Sequence, residues 1–392
     1  MKFASALTTC SDWAEAAADL TRQTQAQLAV KEADFALLFV HPQFVANIEQ
    51  LAGELRVNLG LRHLVGCTGA GIIGGDAEIE RHPAAALLVG ELPGVKVVPF
   101  RVTQEELEED NSPSFWHFQL DCPPADNPNL LLLADPFTIP SVPLVQALNG
   151  AYPQAPIIGG LASGAQEPGE NRLLLDDEVL EDGAIGIALS GAITLHTIVS
   201  QGCKPIGEPF TVTRAEKNIV FELGGRSPLA VLQAMLPSLS PGDQQLARTS
   251  LLIGRVINEY KDDFARGDFL IRPLVGHDPQ SGALAVGDYM RTGQTVQFQV
   301  RDGKSADEDL RVLLEQERAT LEKPAIRGGV LFSCLGRGEG MYGTRSHDIK
   351  LLHEYLGPVP TAGFFCNGEI GPVGGSSFVH GFTSVFGLFG EK

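Results

Sequence analysis

Two glycine-rich stretches, scattered cysteines and a pair of arginines are the residues of this 392-residue chain that could do chemistry. The stretch "LVGCTGAGIIGGD" (64–76) holds Gly69-x-Gly71-x-x-Gly74 directly after an apolar run. A dinucleotide fingerprint needs a helix immediately after such a loop, because the pyrophosphate rests on the helix N-terminus. Here Gly75 weakens any helix and Pro83 stops it. Glu91, the only acid at ribose-binding distance, falls in a turn before Pro93. The stretch reads instead as one wall of a small pocket, its glycines letting backbone approach a ligand. A second match, Gly338-x-Gly340-x-x-Gly343, follows a strand-like run and precedes a helical one, so its N–H groups could meet an anion. Arg337 and Arg345 flank it, and a guanidinium grips a carboxylate or phosphate through two parallel bonds.

Nucleophilic chemistry has fewer candidates. No Gly-x-Ser-x-Gly elbow occurs. Cys67 with His41, or Cys366 with His380, are the pairs a cysteine-dependent enzyme would use. Against that stands the ordinary fate of a cysteine beside a buried strand, which is an inert core residue. His347 and His353 are six apart on a helical pattern and face different directions, so no metal pair is expected there. His277 in "GHDPQSG" reads as a hairpin residue beside a turn set by Asp278-Pro279 and Ser281-Gly282. Neither a metal nor a cofactor is expected.

The elements that must position these residues recur in one order. "FALLFV" (35–40) is wholly apolar, as a strand buried on both faces should be. A helical pattern through Phe44, Ile48, Leu51, Leu55 and Leu59 follows, then "LRHLVG", the glycine stretch, and "AAALLVG" (84–90) and "VKVVPFRV" (95–102) as a hairpin through Leu92-Pro93-Gly94. The order strand, helix, strand, loop, hairpin returns from "NLLLLAD" (129–135) to "ITLHTIVS" (193–200), and again from "GGVLFSC" (328–334) to the closing strands near 376–380 and 382–389. Within each unit the two strands joined by a helix run parallel, so their carboxyl ends share one edge of the sheet, where ligands of open α/β sheets bind. The first unit puts His41 and Cys67-Thr68-Gly69 at that edge, and the second puts Asp135 and the 159–164 loop with Ser163 there. The third supplies Cys334, Gly336, Arg337 and Asn367-Gly368-Glu369.

Different material separates units two and three. "QGCKPIGEPFTVTRAEKN" (201–218) carries prolines, glycines and charges and is the expected junction. Beyond it the patterns give a helix over 228–236, several strand-like runs, and a helix with a capping box of Ser305 and Glu308 and an apolar face of Leu310, Leu313, Leu314 and Leu321. Another helix opens at Ser11-Asp12 and carries Trp13, Ala17, Leu20 and Leu28.

Composition narrows the function. Hydrophobic residues make up 44% and charged residues 20%, a globular balance too long for a single core. A net charge of −19 repels phosphate backbones, so nucleic acid is a poor partner. No apolar run is long enough to insert in a membrane, and no signal peptide is expected in "MKFASALTTCSDW", where polar Thr8, Thr9, Ser11 and Asp12 leave no apolar core. The cysteines fit neither a zinc site nor a disulfide framework, which points to a reduced, cytoplasmic protein.

"FSCLGRG" (332–338), "GFFCNGEIGPVGG" (363–375) and "FVHGFTSVFGLF" (378–389) resemble the C-terminal half of FIST-domain proteins. "GCTGAGIIG" (66–74) and "PIIGGLASG" (156–164) resemble the N-terminal half. The resemblance implies a sensory module for small ligands, amino acids among them, used in signal transduction. With no kinase, cyclase or F-box segment in view, it implies a stand-alone sensor that signals through a separate protein. A His-Asn pair common in the family's closing segment is His380-Gly381 here, which leaves position 381 without that role.

The expected fold is therefore α/β, with mixed β-sheets built from repeated strand–helix–strand–hairpin units and covered by helices, in two domains. A FIST N-like domain takes 1–205, a FIST C-like domain takes 219–392, and 206–218 joins them. A layered sandwich ranks ahead of a doubly wound sheet. In the sensor reading, Arg337 or Arg345 pairs with a ligand carboxylate while Glu369 and Asp135 face its ammonium group. Asn367, Gly368, Cys67, Thr68, Gly69 and Ser163 would line and orient. The alternatives are a cysteine-dependent enzyme acting on a small amide and a pure interaction scaffold.

Overall fold

Strand Phe35–Val40 is buried at all six positions because apolar groups cover both of its faces. Phe35, Leu37 and Phe39 point into a central core, while Ala36, Leu38 and Val40 meet the helices Trp13–Gln27 and Ile48–Leu59 on the other side. Asn129–Ala134 behaves alike, with Leu131 and Leu133 inward and Leu130, Leu132 and Ala134 against the helix Ser141–Ala151. This two-sided burial is what the continuous apolar runs encode. The computed structural model of the protein describes residues 1–28, 32–320 and 326–392.

The chain forms two compact units: one comprises Met1–Val199, Val312–Val379 and Thr383–Lys392, the other Ser200–Arg311 with His380–Phe382. Residues 206–218, expected as a junction, run through strand Phe210–Glu216 inside the second unit.

The first unit holds three six-stranded mixed sheets built to one plan. At the centre of each lie the parallel strands of one repeat: Phe35–Val40 with Leu64–Thr68, Asn129–Ala134 with Ile157–Leu161, and Ile326–Cys334 with Thr361–Cys366. An antiparallel strand of the same repeat flanks each pair: Ala85–Glu91, Ala184–Gly191 and Ser384–Gly390 respectively.

The remaining strands are exchanged. The turn at Leu92–Gly94 is present, but the hairpin expected through it is not, because the strands on its two sides do not pair with each other. Ala85–Glu91 already has Phe35–Val40 on one edge and Lys2–Thr8 on the other, so Val95–Val102 crosses to the second sheet and pairs with Ala184–Gly191. Thr194–Ser200 likewise leaves the second repeat for the third sheet. Each loop after the second parallel strand folds into a short strand pair, and these also change sheets. Ile72–Gly74 joins Thr361–Cys366, Leu173–Leu175 joins Leu64–Thr68, and Glu369–Val373 joins Ile157–Leu161.

The inner faces of the three sheets share one core, in which Phe39 stacks on Phe364 at 5.1 Å and both rings meet Phe332 edge-on. Register exposes a threefold correspondence. Gly66, Gly159 and Gly363 stand opposite Leu38, Leu132 and Leu331. A Cβ at any of the three would lie 1.8 to 1.9 Å from the facing carbonyl oxygen, so nothing larger than glycine fits.

In the second unit an antiparallel sheet closes on itself. Thr295–Arg301 pairs with Phe210–Glu216 on one side and Leu251–Val256 on the other, and Ile219–Leu223, Leu284–Val286 and Phe269–His277 complete the ring. Helix Pro228–Met235 contributes Val231 and Met235 to its core. His277 ends a strand whose turn is tied by Asp278 to Gln280 and Ser281, as expected. The helix Gly303–Thr320 is capped differently from expectation: Asp302, not Ser305, accepts the first free N–H, from Ser305 itself. Leu310 and Leu314 are buried, and Leu321 lies outside the described residues.

A matched substitution tests the close approach. Gly66→Ala or Gly363→Ala should destabilise the fold by about 3 kcal/mol or more, because backbone must move. Gly340→Ala, which meets nothing within 4 Å, should stay within about 0.5 kcal/mol of the parent in urea denaturation.

Candidate functional site

The three tight glycines open three loops of equal length: Gly66 to Gly71, Gly159 to Gly164 and Gly363 to Gly368. These loops bind one another. Ser163 N donates to Thr68 O, Phe365 N to Gly71 O, and Leu161 N to Gly368 O, while Asn367 N returns a bond to Leu161 O. The buried Ser163 hydroxyl accepts from Ala70 N at 2.9 Å and donates to Phe365 O, so one side chain ties all three loops. Thr68, Gly69, Ser163, Asn367 and Gly368 are thus brought together, as their placement at one sheet edge implied.

Asp135 extends this junction and is fully buried. Asn171 Nδ2 donates to its Oδ1 at 2.8 Å, and Thr138 Oγ1 and Phe137 N donate to Oδ2. Asn171 in turn accepts from Thr68 Oγ1, which itself accepts from Arg172 N. Asp135 therefore spends its oxygens on the fold. Glu369 is also buried and accepts from Thr383 N at 2.9 Å.

The arginines lie at a second place. Arg337 is buried, its Nε donating to Asp348 Oδ2 at 2.9 Å and its Nη2 to the Tyr342 hydroxyl. His347 Nδ1 lies 3.0 Å from Asp348 Oδ1, and Ser384 Oγ donates to Oδ2. Burial alone would raise the Asp348 carboxyl, but the Arg337 charge and these hydrogen bonds outweigh it and hold the group well below the usual carboxylate range. The ring of His347 stacks on Tyr342 at 3.5 Å, and burial pushes the Tyr342 phenol up.

Glu78 faces this pair from the short strand Ala77–Ile79. Its Oε1 accepts from Ile349 N at 2.9 Å, and its own N–H donates to Ser346 Oγ. Desolvation, and then the negative charge of Asp348, push Glu78 up to about 8, against the opposing pull of Ile349 N–H and Arg337. Glu80, on the same face two residues on, accepts from Glu339 N at 2.7 Å. The helix start that the glycine pattern marked for an anion is therefore met by the chain's own carboxyl groups. Glu78 and Glu80 were legible only as an alternation in "AEIE", which places both on one side of a strand.

Beside this network opens a cleft of about 130 Å³ lined by Glu78, Glu80, Arg81, His82, Glu339 and Arg345. Arg345 pairs with Glu339 at 3.2 Å, and 72% of its side chain remains exposed. The thiols are elsewhere: Cys67 and Cys366 pack in the central core, and burial pushes both well up, opposite to a nucleophilic thiolate. His41 Nδ1 accepts from Gln43 N, and desolvation lowers its pKa. His380 is buried within the second unit. Among the described residues no group of three His, Cys, Asp or Glu could hold a metal ion.

The repeated glycine loops and exchanged sheets define a two-part α/β module. The FIST N domain model matches residues 34–226 and the FIST C domain model residues 228–372. The chain belongs to the FIST family, whose domains are associated with signal transduction and small-ligand sensing. An uncharacterized protein of Mycobacterium tuberculosis is 37% identical over 99% of this chain and 100% of its own length, and one of Mycobacterium bovis is 36% identical over 99% of both. An F-box/LRR-repeat protein of Arabidopsis thaliana is 25% identical over 74% of this chain and 61% of its own. A solved cyanuric acid hydrolase aligns over 100% of both chains at 9% identity and a TM-score of 0.35, too distant to bear on function.

Two measurements probe these networks. Ser163→Ala leaves buried partners unsatisfied in two loops and should cost about 2 kcal/mol or more in urea denaturation. Glu78 is protonated in the native protein at neutral pH, whereas unfolded it ionises near 4.5. Its contribution is thus fully present below pH 4.5 and lost as the pH rises to about 8. Glu78→Gln should therefore gain stability relative to the parent between pH 5 and 8.5, on the order of 3 kcal/mol. An equal effect at both pH values would contradict the buried proton.

Proposed function

We propose that this chain is a stand-alone cytoplasmic sensor of a small amino-acid-like ligand, which acts through a separate signalling protein. The observation that carries the reading is Arg345. Of the two arginines that flank the glycine pattern, Arg337 is buried on Asp348, while Arg345 reaches solvent in a cleft of mixed charge. A ligand carboxylate would take the Arg345 fork in place of Glu339, and its ammonium group would face Glu80 and Glu339. About 130 Å³ suits a molecule the size of alanine or serine.

The cleft has a route to the interior. Arg345 and Ser346 lead directly into helix His347–Leu356, and Ser346, Glu78 and Ile349 are joined by hydrogen bonds. A ligand that prefers one position of this helix start would shift its population, which is all a sensor requires. The loop junction of Thr68, Ser163 and Asn367 then serves as rigid support. Among the described residues no helix is long and apolar enough to cross a membrane. A scaffold reading draws on one observation, that the polar groups of the loop junction already satisfy each other.

Thermal shift against a panel of amino acids and small carboxylates tests the sensor. Binding to the native state at a hundredfold excess over Kd adds about 2.7 kcal/mol. Arg345→Ala should abolish the shift at little cost to the ligand-free Tm, and Arg345→Lys should restore only part of it. Arg337→Ala should instead lower the Tm without ligand. A panel that shifts nothing favours the scaffold.

A further inference from the structure

We propose that the second unit carries a separate pocket for a small aromatic acid that also bears an N–H or O–H donor. The cavity, of about 500 Å³, lies within the size range of small-molecule sites. Val231 and Met235, four residues apart on one helix face, form its floor with Phe210. Gly207 forms a wall, with φ +65°, and a Cβ there would sit 2.1 Å from Met235 Sδ. Backbone thus passes directly against the thioether, and position 207 adds no side chain of its own to the cavity.

Charge at the mouth specifies the ligand. Arg226 and Glu208 both line the cavity and both are exposed. They do not pair with each other, and among the described residues neither side chain joins an ion pair or hydrogen bond. Arg226 offers a two-pronged donor for a carboxylate. The Glu208 carboxylate can only accept, so it asks for an N–H or O–H on the same ligand. Between them the floor favours a ring over an alkyl chain: thioether sulfur contacts ring edges favourably, and Phe210 offers an edge-to-face partner. The site is independent of the Arg345 cleft, which lies in the other unit.

The test uses the full chain labelled with ¹³C at its four methionine methyls, those of Met1, Met235, Met290 and Met341. Indole-3-acetate and 4-hydroxybenzoate are the ligands, with hexanoate and leucine as controls. A bound ring should shift the Met235 methyl saturably while Met341, in the other unit, stays in place. Arg226→Ala should weaken both acids about tenfold or more. Glu208→Gln should weaken 4-hydroxybenzoate but leave benzoate unchanged. Ala234→Leu, an exposed helix substitution that fills the cavity, should remove the response without harming the fold. A Met235 methyl that ignores both acids at millimolar concentration overturns the pocket. Hexanoate or leucine binding as tightly as the aromatic acids overturns the ligand class. A response at Met341 alone moves the ligand to the other unit and also overturns the proposal.

Discussion

Three parallel strand pairs approach so closely that a carbonyl oxygen occupies the place of a β-carbon at Gly66, Gly159 and Gly363. The approach aims three loops of equal length at one another, and their backbone groups pair across the gap. Ser163 then links the loops through a single hydroxyl. Buried backbone polar groups must find partners, and here each loop finds them on its neighbours. The sheets cannot drift apart without breaking that set. The Phe39, Phe332 and Phe364 cluster behind it is held in place by the same geometry.

Fixed charge is divided between two kinds of environment. In the interior, Asp348 outbids burial because Arg337, His347 and Ser384 all favour its ionised form, and Glu78 yields and keeps its proton. Two acids beside one arginine cannot both ionise cheaply, and the one with the better set of donors takes the charge. At the surface, exposed Arg345 pairs with half-buried Glu339. Buried pairs of this kind set geometry, and exposed ones are free to exchange partners with a solute.

Much of this was legible in the sequence. Two-sided burial writes itself as unbroken apolar runs, so "FALLFV" and "NLLLLAD" announced central strands, and the thrice-repeated order announced the repeats. The sheet edge that gathers Thr68, Ser163 and Asn367 followed from parallel pairing. What could not be read was partner choice. A turn such as Leu92–Gly94 looks the same whether its strands pair or part, because that depends on which edges are already occupied. Short strands such as Ile72–Gly74 fall below the length at which periodicity speaks. The roles of Arg337 and Asp135 went unseen for a related reason: an ion pair or hydrogen-bond set with Asp348 or Asn171 is a long-range fact, and nothing local marks it.

The exchange of strands among sheets also governs how the chain is made. Ile72–Gly74 and Thr194–Ser200 leave a ribosome early, yet the sheet they belong to is built on Ile326–Cys334 and Thr361–Cys366. Throughout synthesis of the inserted second unit, those early strands have no edge to join. Non-local pairing of this kind is slow, and open strand edges are templates for wrong partners. Vectorial synthesis therefore holds the first unit unfinished until its last segment emerges, whereas the closed ring of the inserted unit, whose strands all lie within 210–301, can form while its host still waits.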